Sequence, residues 1–317
     1  MAQEQQRSAE AIRERYGLTE RTLMDRLREN WIGYVFIIPT FAMFVLLFYF
    51  PMLRGLYVTL TNTGLGGTGG DFVGLANYAW LLSNDLFWFA LGWTIVFVLG
   101  TTALQLTVGL VVALLLNELV GRSKAILTAL IFSPYFSAPL AGGVIWFWFL
   151  NGDYGFVDRA LIDIGISRPP AFLAEGFWPY VSLIVAQTWH DYAYAGIIYA
   201  AALTAVPSAQ YEAAALDGAG RLRRFRDVTV PHLLIPTVVI LALRTAWNIA
   251  EFAQPFELTA GGPGTRTMLL SILTYRVAFV NLQFGRAFTV GVAMIVLSMT
   301  AAIIYVTAIR EEENLYV

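Results

Sequence analysis

The chain has 317 residues, 58% of them apolar and 13% charged, with a net charge of −2 and a mean hydropathy of +0.64; a soluble domain is nearer about 45–50% apolar and roughly 25% charged. That composition reads as an all-α polytopic membrane protein and gives no support for nucleic-acid binding. The absence of cysteine excludes disulfides, thiolate metal sites and thiol catalysis, and two histidines 42 residues apart make a poor metal centre.

The first 30 residues carry six arginines and six acids around no apolar core, so no cleavable signal peptide is expected. Residues 19–31 place Leu23, Leu27 and Trp31 on one helical face, which suits a helix lying in the membrane interface. Six spans are predicted, at 32–51, 86–117, 125–150, 179–203, 232–252 and 289–309. Most meet the roughly 20 residues needed to cross about 30 Å of hydrocarbon. The organisation is thus an N-terminal segment 1–31, a six-helix transmembrane domain 32–309 and a tail 310–317. Leu86 to Leu116 is uncharged over 31 residues, about 46 Å as a helix, and must tilt or project from the membrane. Pro134, Pro139 and the pair Gly142 and Gly143 interrupt the third span, as a kink with close packing or as a hinge.

Beyond the fourth span, 204–231 reads as a compact loop. Pro207 and Ser208 start a new helix, Ala209 to Asp217 favour it, and Gly218 and Gly220 end it. A second short helix from Arg221 is expected to stop at Val228, before Pro231. The outer segment 253–288 holds an apolar run, Met268 to Val280, that Arg276 interrupts. It is too short to span and reads as a re-entrant or surface-lying helix. Basic residues orient the chain: 13 of the 20 fall on one set of connections and six on the other, with Arg244 inside a span. Both termini and the 204–231 loop therefore belong to the cytoplasm.

Charges inside spans are costly and mark function or pairing. Arg244, Asn248 and Glu251 recur at i, i+4 and i+7 in the fifth span, with Gln254 about a turn further out. Gln187, Asp191 and Tyr194 share a face of the fourth, beside Trp189 and His190. Asp191 and Arg244 lie at similar depth and form either a structural ion pair or a border of a solute path. Asn248, Glu251, Gln254, Trp189 and Tyr194 are the candidates to line that path; amides and a carboxylate bond hydroxyls, and an aromatic face covers the apolar side of a sugar ring. The competing view is that these groups only join helices.

The alanines 213–215 leave the first helix of the 204–231 loop slim enough for a partner's groove, with Glu212 as its charge. The plainer reading is a solvated loop whose arginines touch anionic lipid. Here the residues resemble a known family. Glu212-Ala213-Ala214-x3-Gly218-x9-Val228-x-Val230-Pro231 resembles the EAA signature of permease subunits in binding-protein-dependent ABC importers, with Val228 and Val230 in place of the usual Ile and Leu. Phe72 to Tyr78 with Phe87 and Trp88, and Leu258 to Pro263 with Thr267, Tyr275, Phe279 and Gly285, resemble the carbohydrate-uptake (maltose/trehalose-type) branch. Asp158 stands where such permeases often carry Asn.

The resemblance implies the type I importer permease fold, with 204–231 as a cytoplasmic coupling helix in which Glu212, Ala213, Ala214, Asp217, Gly218 and Arg221 meet an ATPase. It implies a second homologous permease, an ABC ATPase dimer that uses ATP and Mg, an extracellular solute-binding protein meeting 52–85, 151–178 and 253–288, and a sugar substrate. The setting would be the cell membrane of a bacterium or archaeon. The sequence has no G-x-x-x-x-G-K-[ST] loop, so the chain is expected to be no enzyme itself and to bind no cofactor. The alternatives are an ion-coupled secondary transporter using Asp191 and Glu251, an ABC permease for a non-sugar solute, and a membrane enzyme using Asp191, His190, Arg244 and Glu251. For the last, no further motif speaks.

Overall fold

The computed structural model describes residues 29–64 and 70–313. The interfacial helix expected at 19–31 falls almost wholly outside them. The chain divides into two units, residues 1–57 and 58–317. Among the described residues the secondary structure is helical apart from one isolated bridge, Thr61 to Phe72.

The described residues of the first unit form nearly all of α1 (Trp31–Val58), a long apolar helix with one wide π turn at Val45–Tyr49. The Phe50 N–H reaches back to the Val45 carbonyl, and Pro51 follows at once. Proline lacks a donor and its ring crowds the carbonyl four residues back, so a widened turn just ahead of it relieves the crowding.

The second unit opens on a hydrogen-bonded knot. The Asn77 amide donates to the carbonyls of Thr59 and Thr61, each at 2.8 Å. Asn77 sits on the short helix α2 (Ala76–Leu82). Next comes α3 (Asp85–Asn117), whose first turn is capped by Asn84 Oδ1 accepting from the N–H groups of Leu86 and Phe87 at 2.9 and 3.3 Å. At 33 residues α3 is about 50 Å long, well beyond one hydrocarbon thickness.

The predicted third span is broken. α4 (Gly121–Phe136) and α5 (Pro139–Phe149) meet at 95° through extended backbone at Ser137 and Ala138. α5 then packs on a later helix through glycine: a Cβ at Gly143 would sit 2.7 Å from the Cβ of Glu257. A short helix, α6 (Phe156–Asp163), buries Asp158, and that burial raises its carboxyl pKa above the ordinary carboxylate value.

α7 (Trp178–Thr204) makes its most extensive packing against α3. Gly109 of α3 is what lets them close, since a Cβ there would lie 2.7 Å from Ala195 Cβ and 2.8 Å from the Gly196 nitrogen. α8 (Ser208–Leu216) turns off α7 by 69°. α9 then runs unbroken from Arg221 to Ala250, so the expected stop before Pro231 does not occur. The device of α1 recurs: a π turn at Phe225–Thr229 bonds Val230 N–H to Phe225 O immediately ahead of Pro231. The helix continues because its widened turn has already accommodated the proline.

α9 ends earlier than expected. Glu251 is extended, and α10 (Ala253–Thr259) starts a separate course over α5. The run predicted as re-entrant or surface-lying forms α11 (Leu270–Val280), and the Met268–Leu273 stretch is not on the surface: Met268, Leu269, Leu270 and Ile272 are buried in the main core with Phe97, Leu183, Leu258 and Val290. α12 (Phe284–Glu313) completes the unit. Among the described residues four helices, α1, α3, α9 and α12, are long and apolar enough to cross a membrane; two bent pairs, α4 with α5 and α7 with α8, qualify only jointly.

The glycine packing gives an opposed pair of alanine substitutions. Gly109→Ala is expected to destabilise the purified protein by about 1–3 kcal/mol, because backbone atoms surround the added methyl. Gly291→Ala on α12, where a Cβ meets nothing within 4 Å, is expected to be neutral or stabilising by up to about 1 kcal/mol. Thermal unfolding in detergent reads both signs.

Candidate functional site

Two regions collect the residues that the sequence singles out. The first is a polar network inside the helix bundle. Arg244 of α9 donates through Nη2 to Asp191 Oδ2 of α7 and, at 3.1 Å, to Asn248 Oδ1 one turn along its own helix. Its Nε donates to Gln105 Oε1 of α3 at 3.0 Å. Asp191 Oδ2 also accepts from Gln187 Nε2 at 2.6 Å, while Oδ1 faces His190 Nδ1 at 2.8 Å. The other nitrogen of His190 lies 3.1 Å from the Ser137 carbonyl, in the break between α4 and α5. The rings of Tyr194 and Trp247 flank the guanidinium, with centroids 6.0 and 5.5 Å from Cζ.

Both charges are sealed from solvent, Asp191 at 5% exposure and Arg244 at 4%. A buried pair offsets its desolvation only when the remaining lone pairs and protons are also bonded, and here they largely are. The pair is therefore a joint among α3, α7 and α9, and His190 extends it to the broken helix.

Asn248 belongs to this joint. It is buried, its oxygen is taken by Arg244, and its Nδ2 donates to Thr102 Oγ1 at 2.9 Å and Gln105 Oε1 at 3.1 Å. The expected polar stripe stops with it, because α9 ends at Ala250 and Glu251 is no longer on a helical face. Glu251 is half-buried, and its backbone carbonyl accepts from Ser271 Oγ at 2.6 Å. Gln254 lies on α10, fully buried, with neither amide atom bonded among the described residues. Trp189 and Tyr194 are half-buried; Trp189 meets Trp146 edge-on at 6.0 Å and Tyr194 meets Trp247 at 5.0 Å. The structure thus brings Asp191, Arg244 and Asn248 together and leaves Glu251, Gln254 and Trp189 outside their hydrogen bonds. Thr102, Gln105 and Ser137 were missed. Gln105 carried a signal, being the one amide side chain in the uncharged 31-residue run.

The second region is the corner around α8. Glu212, Ala213, Asp217, Gly218 and Arg221 are exposed and Ala214 is half-buried. The corner is built by a paired C-terminal cap: Gly218 N–H bonds Ala215 O at 3.1 Å and Ala219 N–H bonds Ala214 O at 2.9 Å. That closure needs a left-handed residue, and Gly218 takes it at φ +79°. Tyr211 Oη bonds Thr229 Oγ1 at 3.0 Å, tying α8 to the π turn of α9. Leu216 and Leu222, 90% and 81% exposed, present apolar surface on either side of the glycine.

Removing one partner of the buried pair has a foreseeable cost. Asp191→Asn should destabilise the protein by about 3–5 kcal/mol, since Arg244 is left buried without a counter-charge. Asp191→Leu combined with Arg244→Met should recover most of that loss. Denaturation of the three purified proteins measures both steps.

Residues 105–310 match the family described as the binding-protein-dependent transport system inner membrane component. The multiple sugar-binding transport system permease protein MsmF of Streptococcus mutans is 32% identical over 87% of this chain and 94% of that protein. The trehalose/maltose transport system permease protein MalF of Thermococcus litoralis is 28% identical over 88% of this chain and 94% of that protein. Among solved structures, a bacterial ABC transporter involved in import of the acidic polysaccharide alginate has the same fold, with a TM-score of 0.80 at 21% identity, covering 91% of this chain and 98% of that one. A family match over most of the chain, with relatives spanning nearly all of it, carries the conclusion that this protein belongs to the permease subunits of binding-protein-dependent ABC importers.

Proposed function

We propose that this permease subunit imports a sugar, moved by a partner ATPase that grips the corner around α8. The observation that carries the reading is that corner: a slim helix, exposed at Glu212 and Ala213, bent 69° off α7, closed by the glycine cap and tied to the start of α9 through Tyr211 and Thr229. A force applied there reaches two helices that pass through the bundle and meet at Asp191 and Arg244. In this reading α8 is the coupling helix, with Asp217, Gly218 and Arg221 beside it, and the long helices and bent pairs make six spans with both termini in the cytoplasm. The full assembly adds a second permease, an ATPase dimer using ATP and Mg, and an extracellular solute-binding protein that meets the outer segments 52–85, 151–178 and 253–288.

The sugar assignment is supported by the two relatives named for sugars and by the residues at the rim of the network. Trp189 and Tyr194 are partly exposed aromatic residues beside the network, and Glu251 adds a half-buried carboxylate just past the end of α9. Asn248 contributes by holding Arg244, and Gln254 offers an unbonded amide. Proton coupling through Asp191 is the weaker reading, because its oxygens are already held by Arg244, Gln187 and His190.

The test is co-isolation with the ATPase and uptake in the same cells. Glu212→Arg is expected to abolish recovery of the ATPase with the permease while leaving permease abundance intact. Trp189→Ala and Glu251→Ala are expected to retain the ATPase and weaken apparent sugar affinity about tenfold or more, the scale of one lost aromatic or charged contact. Full ATPase recovery with Glu212→Arg would contradict the coupling role, and unchanged uptake in the other two would remove the lining role.

A further inference from the structure

The arginine cluster at the start of α9 divides in two. Arg223 and Arg226 both pair with Asp227, their Nε atoms 3.3 and 3.0 Å from its carboxylate oxygens. Arg221 and Arg224 have no such partner among the described residues; instead they line a cavity of about 460 Å³. Arg224 is only half-exposed, and its Nε is shut off from solvent with no hydrogen-bond acceptor among the described residues. A guanidinium N–H so placed is costly unless something accepts from it.

The rest of the cavity has a definite chemistry. Leu114, Leu203 and Phe225 give it an apolar floor, and Asn117 adds an amide near the arginines. Glu118 is the one acid that lines it, is exposed, and comes within ion-pair distance of neither arginine. The depth is equally definite. Leu114 and Asn117 lie in the last turn of α3, and Leu203 in the last turn of α7. Leu115, next to the floor, is 65% exposed, as a lipid-facing residue is. The cavity therefore sits where two apolar helices run out, at the level at which hydrocarbon gives way to headgroups.

We infer that this cavity binds the phosphodiester headgroup of an anionic phospholipid, with Arg224 and Arg221 on the phosphate and the glycerol end against Leu114, Leu203 and Phe225. The inference rests on α3 and α7 crossing the membrane, and not on the identity of the transported solute. It places a lipid directly behind α8, since Tyr211 of that helix forms part of the same wall. Its occupancy would brace the corner through which the ATPase is proposed to act.

The test is native mass spectrometry of the full-length chain in detergent, together with whatever subunits co-purify, titrated with dioleoylphosphatidylglycerol. Dioleoylphosphatidylcholine and inorganic phosphate are the comparison arms. One phosphatidylglycerol should be retained at concentrations at which phosphatidylcholine is lost and phosphate is not bound. Arg224→Gln should weaken that retention about tenfold or more, and Arg223→Gln, whose partner is Asp227, should not. Arg221→Gln, at an exposed position, gives the same reading in case Arg224→Gln fails to fold. The inference is overturned if neither Arg224→Gln nor Arg221→Gln changes retention, or if inorganic phosphate alone binds as tightly. It is equally overturned if Arg224→Gln keeps the lipid and loses the ATPase, which would make the cavity a protein contact.

Discussion

A carboxylate and a guanidinium placed in apolar helices must find each other, and the contact between Asp191 and Arg244 is the constraint on which the arrangement of this bundle depends. It fixes α7 against α9 at one depth. Gln105 and Asn248 then tie α3 and the next turn of α9 to the same point. His190 reaches from Asp191 to the Ser137 carbonyl, a backbone group freed by the break between α4 and α5. In hydrocarbon, irregular backbone survives only where protein satisfies it. The ion pair and the broken helix are thus parts of one hydrogen-bonded unit.

Around that unit the backbone departs from regular helix wherever the packing needs it. π turns precede Pro51 and Pro231 and keep both helices continuous. Glycines at 109 and 143 bring helices to backbone contact. Beyond α7 the chain bends by 69° into α8, Gly218 closes the far end of α8, and Tyr211 bonds that helix to Thr229 of α9. A displacement of α8 therefore acts on α7 and α9 together, the helices that carry the two buried charges. In the proposed reading, a motor that grips α8 would therefore move both helices at once.

Much of this was legible in the sequence because its signals are local. Long apolar runs announce membrane helices, and the six-residue interval from Glu212 to Gly218 announces a helix closed by a left-handed glycine. Other features depend on partners far along the chain. Glu251 continues the i, i+4, i+7 pattern of Arg244 and Asn248, yet Ala250 ends the helix and Gln254 begins another. Asn248 reads as a solute ligand by type, but Thr102 and Gln105, more than a hundred residues earlier, consume its amide. The rule that proline stops a helix misplaced the end of the second short helix, because one extra residue per turn ahead of Pro231 removes the conflict.

The central claim is that mechanical work enters the bundle at α8, from the cytoplasmic side. Because the chain has no cysteine, a single Glu212→Cys substitution offers one thiol in an otherwise silent background. Labelling with a membrane-impermeant maleimide in right-side-out and inside-out vesicles, with and without the ATPase assembled, tests the claim most directly. The account predicts labelling only in inside-out vesicles and protection once the ATPase is bound. Labelling from the external face, or undiminished labelling in the assembled complex, would contradict it.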